Sequence, residues 1–182
     1  MEEVSKLSTR NVVTLDPAPA KTENSDSIGV CINFVDKENK WNLVAYRIKF
    51  DAYELINLLF KIAAEYPVEC FGIEKGMYHD VLKPFLDKEM RLRNKFLTVR
   101  ELDHQQRNKQ LRIKGLQPRY EAKAIFHIKD QCNDLEEELL RFPKAVHDDV
   151  SDAVAYQNQI APNRLEHLYP QHTPRQKSQV AL

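Results

Sequence analysis

Three short runs of β-branched and apolar residues crowd the first fifty positions, and their spacing leaves few folds open. Asn11 to Leu15 (NVVTL) ends at Asp16-Pro17, a pair that favours turn initiation and closes a strand, so Asp16 is expected at a strand's carboxyl end. Ser27 to Val35 (SIGVCINFV) and Asn42 to Phe50 (NLVAYRIKF) are joined by the polar DKENK segment, the pattern of an antiparallel hairpin. The three strands together can make a meander. Asp51 is placed to N-cap a helix, with Glu54 three residues on and Leu55, Leu58, Leu59, Ile62 and Ala63 at the helical period; Pro67 ends it. Val68 to Ile73 is a fourth strand, running into Glu74-Lys75-Gly76. A helix over Met77 to Met90, kinked at Pro84, follows.

The second half alternates in the same way. Phe96 to Leu102 and Ala124 to Ile128 read as strands, with a short basic helix over Asn108 to Leu116 between them. Asp130 to Phe142 is helical in pattern, with Leu135, Leu139 and Leu140 on one side, and Pro143 closes it. His147-Asp148-Asp149 opens a last helix whose apolar face is Val150, Ala153 and Val154. This order predicts an α/β domain with a mixed β-sheet flanked by helices. A chain of 182 residues, 42% of them hydrophobic, can bury one sizeable core. The domain is expected over residues 1–160, and the stretch 161–182, with three prolines and no periodicity, as a flexible C-terminal tail. No apolar run nears the roughly 20 residues of a membrane span, and the opening MEEVSKLSTR lacks the blocks of a signal peptide, so a soluble, unexported protein is expected. Cys31, Cys70 and Cys132 are odd in number and widely spaced, which suits reduced thiols, two of them in the core.

Basic and acidic residues balance at 27 each, but they are unevenly placed. Arg91 to Lys123 carries ten basic residues against three acidic ones, a stretch able to track a phosphate backbone. Asp130 to Asp152 carries eight acidic residues against two basic ones, although a solvated helix face is the cheaper reading of Glu136, Glu137 and Glu138. Three acidic sites stand at element ends: Asp16, Glu74, and the pair Asp148/Asp149. Strand ends on one edge of a sheet converge, and hard divalent ions such as Mg2+ or Mn2+ need oxygen ligands. Two such ions could activate a water and stabilise a leaving 3′ oxygen with no protein nucleophile. Each residue also has an ordinary structural role: a turn former, a solvated strand end, a helix N-cap.

Four blocks carry a family likeness. DPAPAKTENSDSIGV, the strand ending GIEKG, KQLRIKGLQPRYEAKAIFHI, and FPKAVHDDVSDAVAY together resemble the nuclease domain of phage large terminase subunits, in that family's order from Val12 to Tyr156. The last two blocks are the most specific. The resemblance implies an RNase H-like fold, a site for two divalent ions (Mg2+ or Mn2+), and cutting of concatemeric double-stranded viral DNA during packaging. It implies Asp16 as the bridging ligand and Glu74 as the second. The third is Asp148 or Asp149, with Asp149 preferred because Asp148 is the better placed N-cap. Asp152 and His147 stand behind the ligands, and Lys109, Arg112, Lys114 and Lys75 are candidates for gripping DNA phosphates. For His79 a helix-surface role is the expectation; for Trp41 and Tyr46, sheet packing.

The implied partners are a terminase ATPase domain, a small terminase subunit and a portal, in the cytoplasm of a host cell. The chain has no Gly-x-x-x-x-Gly-Lys-Ser/Thr phosphate loop and only four glycines, so the ATP-driven motor is expected elsewhere. Two alternatives stand beside the packaging nuclease: a related RNase H-like enzyme such as a junction resolvase, and a catalytically silent DNA- or portal-binding module.

Overall fold

A computed structural model describes residues 10–17, 27–49, 51–103 and 109–161. The expected tail from 162 onward, Asn108 and Phe50 lie outside the described residues. The elements are β1 (Arg10–Pro17), β2 (Ser27–Val35), β3 (Trp41–Lys49), α1 (Ala52–Glu65), β4 (Val68–Glu74), α2 (Lys75–Met77), a π-helical turn (Tyr78–Leu82), α3 (Lys83–Leu92), β5 (Val99–Leu102), α4 (Lys109–Lys114), α5 (Gln117–Glu121), β6 (Ile125–His127), α6 (Asn133–Arg141) and α7 (Asp149–Ile160).

The strands form one mixed sheet in the order β5-β4-β1-β2-β3-β6. β1, β2 and β3 make the expected antiparallel meander, while β4 lies parallel to β1 and β5 parallel to β4. A parallel neighbour needs a long crossover, which α1 supplies between β3 and β4. Asp51 caps α1 as its sequence suggests: the Asp51 carboxylate accepts from the Glu54 amide at 2.8 Å and the Glu54 carboxylate accepts from the Asp51 amide at 3.1 Å.

Because successive strand residues face opposite sides, β1 and β2 sort their side chains onto two surfaces. Val13, Leu15, Ile28, Val30, Ile32 and Phe34 face α1 and form an apolar core with Leu55, Ile56, Leu59, Phe60, Leu82 and Leu86. The other surface, carrying Thr14, Cys31 and Asn33, is covered by α7. Thr14 Oγ1 donates to the Ala153 carbonyl at 2.6 Å, and Gln157 Nε2 donates to Thr14 Oγ1 at 2.9 Å and to the Cys31 carbonyl at 3.3 Å. Asn33 Nδ2 donates to Gln157 Oε1 at 3.2 Å. Gly29 lets the start of α7 reach the sheet: a Cβ there would lie 2.1 Å from the Asp149 carbonyl oxygen.

Several boundaries differ from those the sequence predicts. The helix after β4 begins at Lys75 and runs to Leu92, with a π-helical turn before Pro84 in place of a simple kink; the Lys83 amide donates to the Tyr78 carbonyl. Proline has no amide to give the turn behind it, and the wider turn absorbs that loss. The fifth strand starts at Val99, leaving Phe96 exposed. The basic helix is Lys109–Lys114, and a further short helix, Gln117–Glu121, follows with Pro118 in its first turn. On α6 the inward residues are Leu135 and Glu138, whereas Leu140, expected on the apolar side, is 87% exposed. All three cysteines are buried and free, where two were expected in the core. Trp41 is fully buried with the Arg119 guanidinium 4.2 Å from its ring centre, and Tyr46 packs against the apolar core; both are packing residues as expected.

Candidate active site

Asp16 is the last described buried side chain of β1, paired across the ladder with Gly29, and only 4% of its surface is exposed. Its strand parity sends it to the surface under α7, where Asp149 and Asp152, 3% and 1% exposed, begin that helix. Burial is the first cause holding the Asp16 carboxyl well above the ordinary carboxylate range; the Asp152 charge adds to it, while Lys109 pulls the other way. An ionised carboxylate is poorly accommodated here without a cation.

Lys109, at the start of α4, supplies one. Its Nζ lies 2.8 Å from Asp148 Oδ1, 3.2 Å from Asp152 Oδ2 and 3.9 Å from Asp16 Oδ2. Burial lowers the Lys109 pKa, but the hydrogen bond to Asp148 and the charges of Asp152 and Asp16 outweigh it, and the net shift is upward. Arg112, one turn on, holds Asp152 with both ends of its fork: Nε to Oδ1 at 3.1 Å and Nη2 to Oδ2 at 2.5 Å. The guanidinium also lies 5.1 Å from the ring centre of Tyr156. Lys109 and Arg112, expected to grip phosphate, therefore spend their charge on carboxylates of the site, whereas Lys114 and Lys75 are exposed.

Asp149 takes a different direction. Its Oδ2 accepts from Ser27 Oγ at 3.1 Å and lies 3.9 Å from Arg47 Nε, while its charge still reaches Asp16. Glu74 ends β4, the strand beside β1, and its carboxylate accepts from the Met77 amide at 3.0 Å, capping α2. His79 pairs with Glu101 at 2.7 Å on the surface, the expected helix-surface role, and His147 is exposed beside Arg47 and Glu138.

Two expectations about the start of α7 are corrected. Asp148 occupies the N-cap position but makes no capping hydrogen bond; its half-exposed carboxylate turns to Lys109. The free amides of Val150 and Ser151 are taken by Glu138, at 3.4 and 2.7 Å. Glu138 is therefore not part of a solvated face: it is 3% exposed, caps α7 from α6, and pairs with Arg47 at 2.5 Å. A helix N-terminus favours a negative charge, and a carboxylate from another helix supplies it as well as a local one. The signal was present in the sequence, since Leu135, Glu138 and Phe142 share the i, i+3, i+7 face that Leu140 does not. Ser27 and Arg47 gave no such signal.

The donor chemistry, carboxylate oxygen throughout, suits Mg2+ or Mn2+. The side chains as they stand are not yet a cage: among the described residues no three His, Cys, Asp or Glu groups are arranged to hold a metal ion. Asp16, Asp148 and Asp152 meet at the Lys109 ammonium instead.

The architecture has known counterparts. The human cytomegalovirus terminase nuclease domain superposes with a TM-score of 0.62 at 12% identity, covering 88% of this chain and 86% of that one. The fold is that of a terminase nuclease domain. The HK97 bacteriophage large terminase aligns with a TM-score of 0.48 at 9% identity, over 70% of this chain and 33% of that chain. No family model and no curated protein sequence matches. The expected RNase H-like mixed sheet flanked by helices is thus found, and in this terminase nuclease-like fold Asp16 and Glu74 stand at the ends of the adjacent parallel strands β1 and β4.

Proposed function

We propose that the chain is a divalent-metal-dependent endonuclease that cuts double-stranded viral DNA during genome packaging. The observation that carries this reading is the buried Asp16 beside Asp152, a pair of carboxylates set under a helix N-terminus in a terminase nuclease-like fold and gathered, with Asp148, on one cation. Such a cluster weakens folding unless cations compensate it, and a site for hard ions gives it a use.

Asp16 and Glu74 would hold Mg2+ or Mn2+, with the third ligand drawn from α7. Sequence position favours Asp149. The contact that Asp152 shares with Asp16 through Lys109 favours Asp152, although the Arg112 fork already engages both of its oxygens while Asp149 is held by Ser27. Bound ions of this kind lower the pKa of a water and stabilise charge on a leaving oxygen. The protein's own part is to position the carboxylates: Glu138 and Arg47 fix the start of α7, Gly29 admits it to the sheet, and Arg112 orients Asp152. Lys75 and Lys114, exposed, would meet the DNA backbone. In this reading the partners are a packaging ATPase domain, a small terminase subunit and a portal, in the host cytoplasm.

The test is cleavage of supercoiled plasmid in Mn2+. Wild type should nick and linearise it, and Asp16→Asn, Glu74→Gln and either Asp149→Asn or Asp152→Asn should lose the activity while remaining folded. No cleavage at any metal concentration would favour a silent binding module, and strong preference for four-way junctions over linear duplex would favour a resolvase.

A further inference from the structure

We propose that Lys109 is a built-in competitor for the metal, so that divalent ions enter the site by expelling its ammonium from among Asp16, Asp148 and Asp152. This rests on the nuclease reading and deepens it. The side chain does what a cation would do, placing Nζ 2.8, 3.2 and 3.9 Å from oxygens of three carboxylates that come from two separate elements, β1 and the start of α7. Two of those carboxylates, Asp16 and Asp152, are almost wholly buried, so the positive charge between them cannot be replaced by solvent at low cost.

Position favours exchange over addition, because Nζ already fills the space among the Asp16, Asp148 and Asp152 oxygens that an ion would use. Keeping Lys109 and adding the ion would instead put like charges within a few ångströms in a poorly hydrated space. Lys109 can leave more easily than Arg112. It is 30% exposed against 10%, holds its partners as a point charge, and has four flexible methylenes, whereas Arg112 is fixed by a two-point fork. Once expelled, the ammonium is free to meet a DNA phosphate, so metal entry would release the charge that receives the substrate.

The first test uses the wild-type chain. Amine-reactive labelling read by mass spectrometry should modify Lys109 slowly in chelator and several-fold faster in Mn2+, with Lys114 as an unchanged exposed reference. Unchanged or slower labelling of Lys109 in Mn2+ would overturn the proposal. The second test is calorimetric titration with Mn2+: Lys109→Met should bind on the order of tenfold more tightly than wild type. Equal or weaker binding by the folded variant counts against competition. A wild type that binds Mn2+ and cuts DNA, with Lys109 labelling and affinity both unmoved, defeats this inference alone; a wild type that neither binds nor cuts defeats the nuclease reading and this inference with it.

Discussion

The two surfaces of the sheet are built on opposite principles. Toward α1, β1 and β2 present Val13, Leu15, Ile28, Val30, Ile32 and Phe34, an apolar contact apart from the buried Asn11 at the start of β1. Toward α7, the same strands present Thr14, Asp16, Ser27, Cys31 and Asn33, all buried, and the helix answers with Asp149, Ser151, Asp152 and Gln157, also buried. The first surface draws its stability from area removed from water and needs no particular partner for any atom. The second depends on polar groups finding mates, as they do in the Thr14–Gln157–Asn33 relay and the Glu138 cap, and it carries the cost of Asn33 Oδ1 and Arg47 Nε, which are buried without a hydrogen-bond partner among the described residues. One surface holds the domain together; the other is specified atom by atom, which a site for chemistry requires.

The sharpest way to test this contrast is Asp16→Asn. Cleavage should fall to background while the metal-free protein becomes more stable at neutral pH, as thermal denaturation in chelator would show. The folded Asp16 carboxyl sits above its ordinary 3.8, so its favourable contribution is complete below 3.8 and is lost as pH rises through the folded value. The stability gain in the variant should therefore vanish as pH is lowered toward 3.8. A variant less stable than wild type at pH 7 would show that ionised Asp16 is well paired, and the picture of a costly site would fail.

Next in size is a matched pair. Leu59→Ala, on the apolar surface, should cost about 3 kcal/mol in urea denaturation yet leave the folded fraction as active as wild type. Gly29→Ala should cost roughly as much, because its Cβ meets the Asp149 carbonyl at 2.1 Å, but it should also abolish cleavage by lifting α7 from the sheet. Equal loss of activity in both would erase the distinction between the surfaces. Glu138→Ala should cost about 2 kcal/mol, removing a helix cap and the partner of Arg47 together. If denaturation shows no change, Asp148 or water replaces the cap. Smallest, Arg10→Ala breaks an exposed pair with Glu69 across the starts of β1 and β4 and should shift stability by no more than ~0.5 kcal/mol, leaving activity untouched.

The sequence by itself determined the parts whose physics is local. The alternation in SIGVCINFV and NLVAYRIKF sets the hairpin, the Asp51/Glu54 box starts α1, and the turn signals after β1 and β4 put Asp16 and Glu74 at the ends of their strands. These depend on neighbours a few residues away or on the period of a single element. Only the tertiary structure decided which residue caps α7, since Glu138 competes with Asp148 across a gap the chain does not encode locally. Tertiary packing alone also set Asp149 toward Ser27 and Arg47, and drew Lys109 in among Asp16, Asp148 and Asp152. Charges in a buried cluster choose partners by distance in space and by the cost of being left alone, and neither quantity is written in spacing along the chain.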